Sequence, residues 1–153
     1  MIVLDAYAVL ALLKGEHGVG EVRTVLTGDE EAVLTALGVA EVVDHLVRLA
    51  GADEDDAALD VAQLGLGSPV PVDAAVALRA GMLRARHYHR RDRAVSLADC
   101  VAAETARSAD SALATSDPHL LDTCRDEGIA CVVLPDSSGR TWTPDGRREP
   151  RQR

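Results

Sequence analysis

Four short β-favouring runs are spread through the chain, and each pair is separated by far more residues than a hairpin allows. They are Ile2–Leu4, Ala32–Leu34, Ser111–Thr115 and Ala130–Leu134. Between them the apolar residues recur with helical spacing, as in Val39 to Leu49, where positions 39, 42, 43, 46, 47 and 49 form one stripe. Strands that alternate with amphipathic helices imply an α/β fold, with a mainly parallel sheet and helices on both faces. In such sheets ligands bind beyond the carboxyl ends of the strands, where the chain order reverses.

The punctuation supports this division. Gly15 closes a helix predicted over Ala6–Lys14, and Gly51 stops the helix predicted over Val39–Leu49. The acidic run Asp53–Asp56 falls where the next helix begins, which suits the helix dipole. Asp73 is a natural N-cap for a helix over Ala74–Arg86. Further helices are predicted from Ser96 or Leu97 to Arg107 and over Pro118–Glu127.

Composition narrows the functional classes. At 153 residues with 47% hydrophobic content, one folded domain is expected over 1–135. From Asp136 onward the sequence DSSGRTWTPDGRREPRQR is polar and basic, and residues 136–153 are expected to form a tail disordered in part or whole. No stretch is long enough to span a membrane, and the apolar start lacks the marks of a signal peptide, so a cytoplasmic protein is expected. Three cysteines without a CxxC pair suggest neither a disulfide framework nor a zinc ribbon. The net charge of −9 argues against a surface that grips nucleic acid everywhere. Five arginines nevertheless crowd RARHYHRRDR, positions 84–93. That segment, with Arg84, Arg86, Arg90 and Arg91, is the candidate phosphate-contacting patch, the alternative being a solvated charge-balancing loop. Two tyrosines, one tryptophan and no phenylalanine leave little for a base-stacking sheet.

Four acids stand out by position. Asp5 ends the first strand, between two apolar runs, and Asp117 follows a later strand in ALATSD. Glu41, in GVAEVVDHL, falls in the first turn of the predicted Val39–Leu49 helix, and Asp99, in SLADCV, in the first turn of another. Strand ends and helix starts can face one crevice, and four oxygen donors there suit Mg²⁺ or Mn²⁺ rather than zinc. Taken singly, each acid also has a structural explanation. Asp5 can cap a helix, Ser96-x-x-Asp99 resembles a capping box, Asp117-Pro118 reads as N-cap and first helical position, and Glu41 can be solvated. Asp5 and Asp99 are flanked by apolar sequence, where exposure is disfavoured.

The order of these residues carries a resemblance. Asp at the end of the first strand, Glu in V-A-E-V, Asp in S-L-A-D and Asp in A-T-S-D resemble the PIN-domain family, and more narrowly the VapC-type toxins of toxin–antitoxin pairs. The likeness runs from residue 1 to about 134. It implies a three-layer α/β/α fold and an Mg²⁺- or Mn²⁺-dependent endoribonuclease. Asp5, Glu41, Asp99 and Asp117 would be its catalytic, metal-holding acids and Thr115 a positioning hydroxyl. It also implies an RNA substrate, a cognate antitoxin and a homodimer. One departure is plain: many relatives carry Ser or Thr soon after the first Asp, where this chain has Ala6-Tyr7-Ala8. Two other readings stand beside it, a catalytically silent PIN-like interaction module and an aspartyl phosphoryl-transfer domain. The second would need an Asp-x-Asp after the first strand, and Tyr7 stands there instead.

Overall fold

The computed structural model describes residues 1–144. Four strands, β1 (Ile2–Leu4), β2 (Ala32–Val33), β3 (Ala112–Thr115) and β4 (Cys131–Val133), form one parallel sheet in the order β2-β1-β3-β4. Ile2 lies opposite both Ala32 and Ala112, Leu4 opposite Ala114, and Thr115 opposite Val133. Seven α-helices are described: α1 (Ala6–Lys14), α2 (Val19–Leu26), α3 (Ala36–Asp44), α4 (Glu54–Ala62), α5 (Ala74–His87), α6 (Leu97–Ser108) and α7 (Pro118–Glu127).

The strand pleat divides the interior into two cores, as period-two alternation requires. Val3, Val33 and Leu113 pack with buried residues of α5, α6 and α7. Leu4, Ala32, Leu34 and Ala114 pack with those of α1 to α4. Helices thus cover both faces, which is the three-layer arrangement expected from the alternation of elements. Among the described residues no helix is long and apolar enough to cross a membrane.

Two helix ends follow their capping residues to the residue. Gly15 and Gly128 adopt left-handed backbone at φ 66° and 67° and close α1 and α7. The expectation for Glu41 needs correction. Its helix begins at Ala36 rather than Val39, because Thr35 caps it by accepting from the Gly38 N–H at 2.9 Å. Glu41 is therefore in the second turn, not the first. The predicted C-terminal half of that helix, His45–Leu49, is a π-helical turn, which Gly51 leaves at φ 72°.

The arginine-rich segment is not one loop. Arg84, Arg86 and His87 complete α5, and His89 and Arg93 then pair as an antiparallel bridge. Of the expected tail, residues 145–153 lie outside the described residues. In the portion described, Asp136 Oδ1 accepts from the backbone N–H groups of Ser138 and Arg140, both at 2.9 Å.

Candidate active site

Because β1 leads to β2 on one side and β3 lies on the other, the chain order reverses between β1 and β3. Asp5 and Asp117 stand just beyond the carboxyl ends of these two strands. The β1–β3 ladder runs on to the Asp5 N–H, which donates to Ala114 O at 3.0 Å. That register brings Thr115 beside Asp5, and the buried Thr115 hydroxyl donates to Asp5 Oδ2 at 2.7 Å. Thr115 Oγ1 also accepts from the Asp117 N–H at 3.0 Å, so one hydroxyl links two acids 112 positions apart in sequence.

Each capping explanation holds in addition. Asp5 Oδ1 accepts from the Tyr7 N–H at 3.3 Å at the start of α1, and Asp117 Oδ1 accepts from the His119 N–H at 2.8 Å at the start of α7. Ser96 and Asp99 form the reciprocal capping box, with the Ser96 N–H on Asp99 Oδ2 at 2.6 Å and the Asp99 N–H on Ser96 Oγ at 3.0 Å.

Capping does not account for the burial. Asp5 is 3% exposed and Asp99 7%, far below what a solvated first-turn acid needs. Burial pushes the Asp5 carboxyl up to about 7, the Asp99 charge adds to the rise, and the Thr115 hydroxyl opposes it. Burial also raises Asp99, with a further push from Asp117 that the Ser96 hydrogen bonds and Arg84 oppose. Half-buried Glu41 is raised by burial, then by Asp99 and Asp44. The Tyr7 phenol is raised by burial and then by all four acids. The four carboxylates thus share one electrostatic crevice, with Asp99 the member that acts on both Asp5 and Glu41. No ion pair among the described residues reaches any of the four.

The chemistry of this donor set, oxygen throughout and lacking a salt-bridged cation, fits a hard divalent ion. The arrangement is not a finished chelate. Among the described residues no three His, Cys, Asp or Glu side chains converge as a metal-binding group. Like charges at close range repel, and Asp5 and Asp99 are each directed partly toward their capping N–H groups.

The candidate arginines separate. Arg84 donates from Nε to Val95 O at 3.0 Å, lies over the Tyr88 ring 4.1 Å from its centroid, and acts on Asp99. Arg86 is engaged elsewhere, with Glu127 Oε1 at 3.1 Å, in a network that includes His87 and Arg107. Arg90 and Arg91 are exposed on the bridge turn. A buried carboxylate absent from the sequence reasoning is Glu104 of α6, 1% exposed between Arg79 (3.4 Å) and Arg107 (3.3 Å). Its surroundings are basic, and it belongs to the packing of α5 against α6 rather than to the crevice.

Fold and rim together define a parallel α/β protein with a carboxylate crevice at the switch point of its sheet. The chain belongs to the PIN domain family, whose sequence profile matches residues 2–126. No curated protein sequence matches it. Several solved structures share the fold. FitAcB from Neisseria gonorrhoeae is 22% identical with a TM-score of 0.63, covering 86% of this chain and 96% of its own. VapC20 of Mycobacterium tuberculosis, described as a Sarcin-Ricin loop cleaving toxin, is 18% identical with a TM-score of 0.68, covering 88% and 100%. A toxin–antitoxin complex from Klebsiella pneumoniae is 15% identical with a TM-score of 0.57, covering 76% and 87%.

Proposed function

We propose that this chain is a divalent-metal-dependent endoribonuclease toxin, acting in the cytoplasm and neutralised by a cognate antitoxin. The observation that carries the reading is the burial of Asp5 and Asp99 at the sheet's switch point with no salt-bridged cation beside them. The PIN family membership and the toxin VapC20 among the structural relatives point the same way. Asp5, Asp99, Glu41 and Asp117 would hold Mg²⁺ or Mn²⁺. Such an ion lowers the pKa of bound water and polarises a phosphoryl oxygen.

The chain's own residues set the stage for that chemistry. Thr115 fixes the direction of the Asp5 carboxylate through its 2.7 Å hydrogen bond, and the backbone of Asp117 fixes Thr115 in turn. The Ser96 capping box holds the Asp99 backbone and one of its oxygens. Arg84 offsets part of the acidic field at Asp99, and exposed Arg90 and Arg91 are placed for the RNA backbone, whose charge the acids would otherwise repel. The catalytic domain would comprise residues 1–135, with 136–153 as a basic extension, and the working protein would be a homodimer. Toxin–antitoxin complexes among the structural relatives support a protein partner.

The deciding experiment incubates purified protein with single-stranded RNA in Mn²⁺ or in EDTA. Cleavage is expected with Mn²⁺ only, and Asp99→Asn is expected to abolish it while the circular dichroism spectrum stays that of the folded protein. Absence of cleavage by the wild type in Mn²⁺ would leave a PIN fold serving as an interaction module.

A further inference from the structure

The aromatic residues of this chain are few and oddly placed. Buried aromatics ordinarily dominate cores, yet none of the three here does so: Tyr7 is 58% exposed, Tyr88 44%, and Trp142 half-buried. The two tyrosines are linked to the acidic crevice instead. Tyr7 stands in the field of the four acids, and Tyr88 is stacked under the arginine that acts on Asp99. Trp142 lines a separate cleft of about 250 Å³, together with Ser116, His119, Asp122, Arg140 and Asp92.

That cleft opens beside the crevice. Ser116 directly precedes Asp117 and lines both this cleft and a second one, of about 410 Å³, that contains Asp117 and Tyr7. The lining of the Trp142 cleft also includes Asp92, from the same turn that exposes Arg90 and Arg91. Arg125, which is not part of the cleft wall, lies over the indole 5.8 Å from its centroid, so the ring is held between a cation and the open cleft. The volume is below that of pockets for drug-sized ligands, about 300–1,000 Å³, and suits one planar ring. Around the indole, Ser116, His119 and Asp122 offer the donors and acceptors that a base edge requires.

We infer that the Trp142 cleft is a nucleobase subsite, taking one unpaired base of the RNA strand next to the phosphate that lies at the acidic crevice. The inference rests on the ribonuclease reading and adds a residue that selects where the strand is cut. Stacking on the indole supplies affinity for any base, and the polar edges supply the preference.

Trp142 is the only tryptophan, so its fluorescence reports this cleft alone. The Asp99→Asn protein, which leaves RNA uncut, is mixed with a short single-stranded RNA and with the same strand carrying one abasic position at a time. Saturable quenching is expected, lost when one particular base is missing. In the cleaving protein, Trp142→Leu should raise KM about tenfold and blur the cut-site preference with kcat little changed, whereas Trp142→Phe keeps both. A purely structural tryptophan would lower Tm without shifting the cut-site pattern. RNA that is bound and cut with unchanged emission, or an unaltered pattern in Trp142→Leu, would overturn the subsite while leaving the nuclease intact. Failure of the wild-type protein to bind or cut RNA would remove both.

Discussion

Replacing Asp5 by asparagine deletes a charge from a side chain that is 3% exposed and nearly preserves its shape. The ionised carboxylate is unwelcome there: its pKa stands at about 7 against 3.8 for an ordinary aspartate. Three units at 1.36 kcal/mol each put the cost of the charged form at about 4 kcal/mol at pH 8. Water drawn in by the charge reduces this figure. Asparagine also turns an NH₂ group toward the Thr115 hydroxyl or the Tyr7 N–H, losing one hydrogen bond worth about 1 kcal/mol. The net expectation is a gain of about 1–3 kcal/mol at pH 8, or roughly 3–10 °C in Tm for a chain of this size. The sign reverses with acid. Because the folded-state pKa is raised, the folded protein holds a proton between about pH 4 and 7 that the unfolded chain releases. The associated stability is fully present below about pH 4 and lost as pH rises through about 7. In EDTA the wild type should therefore weaken from pH 5 to 8 while Asp5→Asn holds steady, and at pH 5 the substitution should be neutral or slightly destabilising. Mn²⁺ at pH 8 should raise the Tm of the wild type and scarcely move the variant. Thermal unfolding followed by circular dichroism at both pH values, with and without Mn²⁺, reads all four quantities. An equal loss of stability in Asp5→Asn at pH 5 and pH 8 would refute the argument.

Two further outcomes are expected. Thr115→Val fills the same buried space but removes the hydroxyl that holds the Asp5 pKa down, so the acid limb of the cleavage pH profile should move upward. It should also lower stability by about 1–2 kcal/mol by urea unfolding. Glu127→Gln should destabilise the protein by about 1 kcal/mol at pH 7, since hydrogen bonds from His87, Arg107 and Arg86 hold the glutamate down at about 2. That stability is present above about pH 4.5 and lost as pH falls toward 2, so wild type and variant should converge in acid.

Local rules made much of the chain legible, and they failed where tertiary contacts decide. Asp117-Pro118 marks the start of α7 correctly because capping chemistry is contained in a few neighbouring residues. The start of α3 is misplaced because Ala36, Leu37 and Gly38 show no apolar period, and the apolar stripe from Val39 outweighs Thr35, a residue type that favours the N-cap. Strand order is invisible to periodicity, since pairing Leu4 with Ala114 depends on the whole intervening chain. The four acids could be singled out from their flanks and their order, but the hydrogen bond from Thr115 to Asp5 needed the register. Asp44 pairs with Arg48 four positions on, at 2.8 Å, a contact that helical spacing allows, whereas His45 lies 2.6 Å from Lys14 Nζ on another helix. The arginine patch was the least legible element. Which guanidinium meets Glu127 and which faces Tyr88 depends on helical phase at the end of α5. Trp142 looked like part of a polar tail, and nothing near it in sequence announces a cleft with Ser116 and His119.

The pairing of β1 with β3 also governs when the crevice can exist. Asp5 is synthesised more than a hundred residues before its hydroxyl partner Thr115 and the strand that seats it. At about 5–20 residues per second, a ribosome needs roughly 5–20 s to join them. Until then the growing chain carries a lone aspartate at a helix start and no assembled acids. A nascent chain that lacks β3 therefore has no assembled crevice, and whatever the crevice does begins only once β3 has been made and seated beside β1.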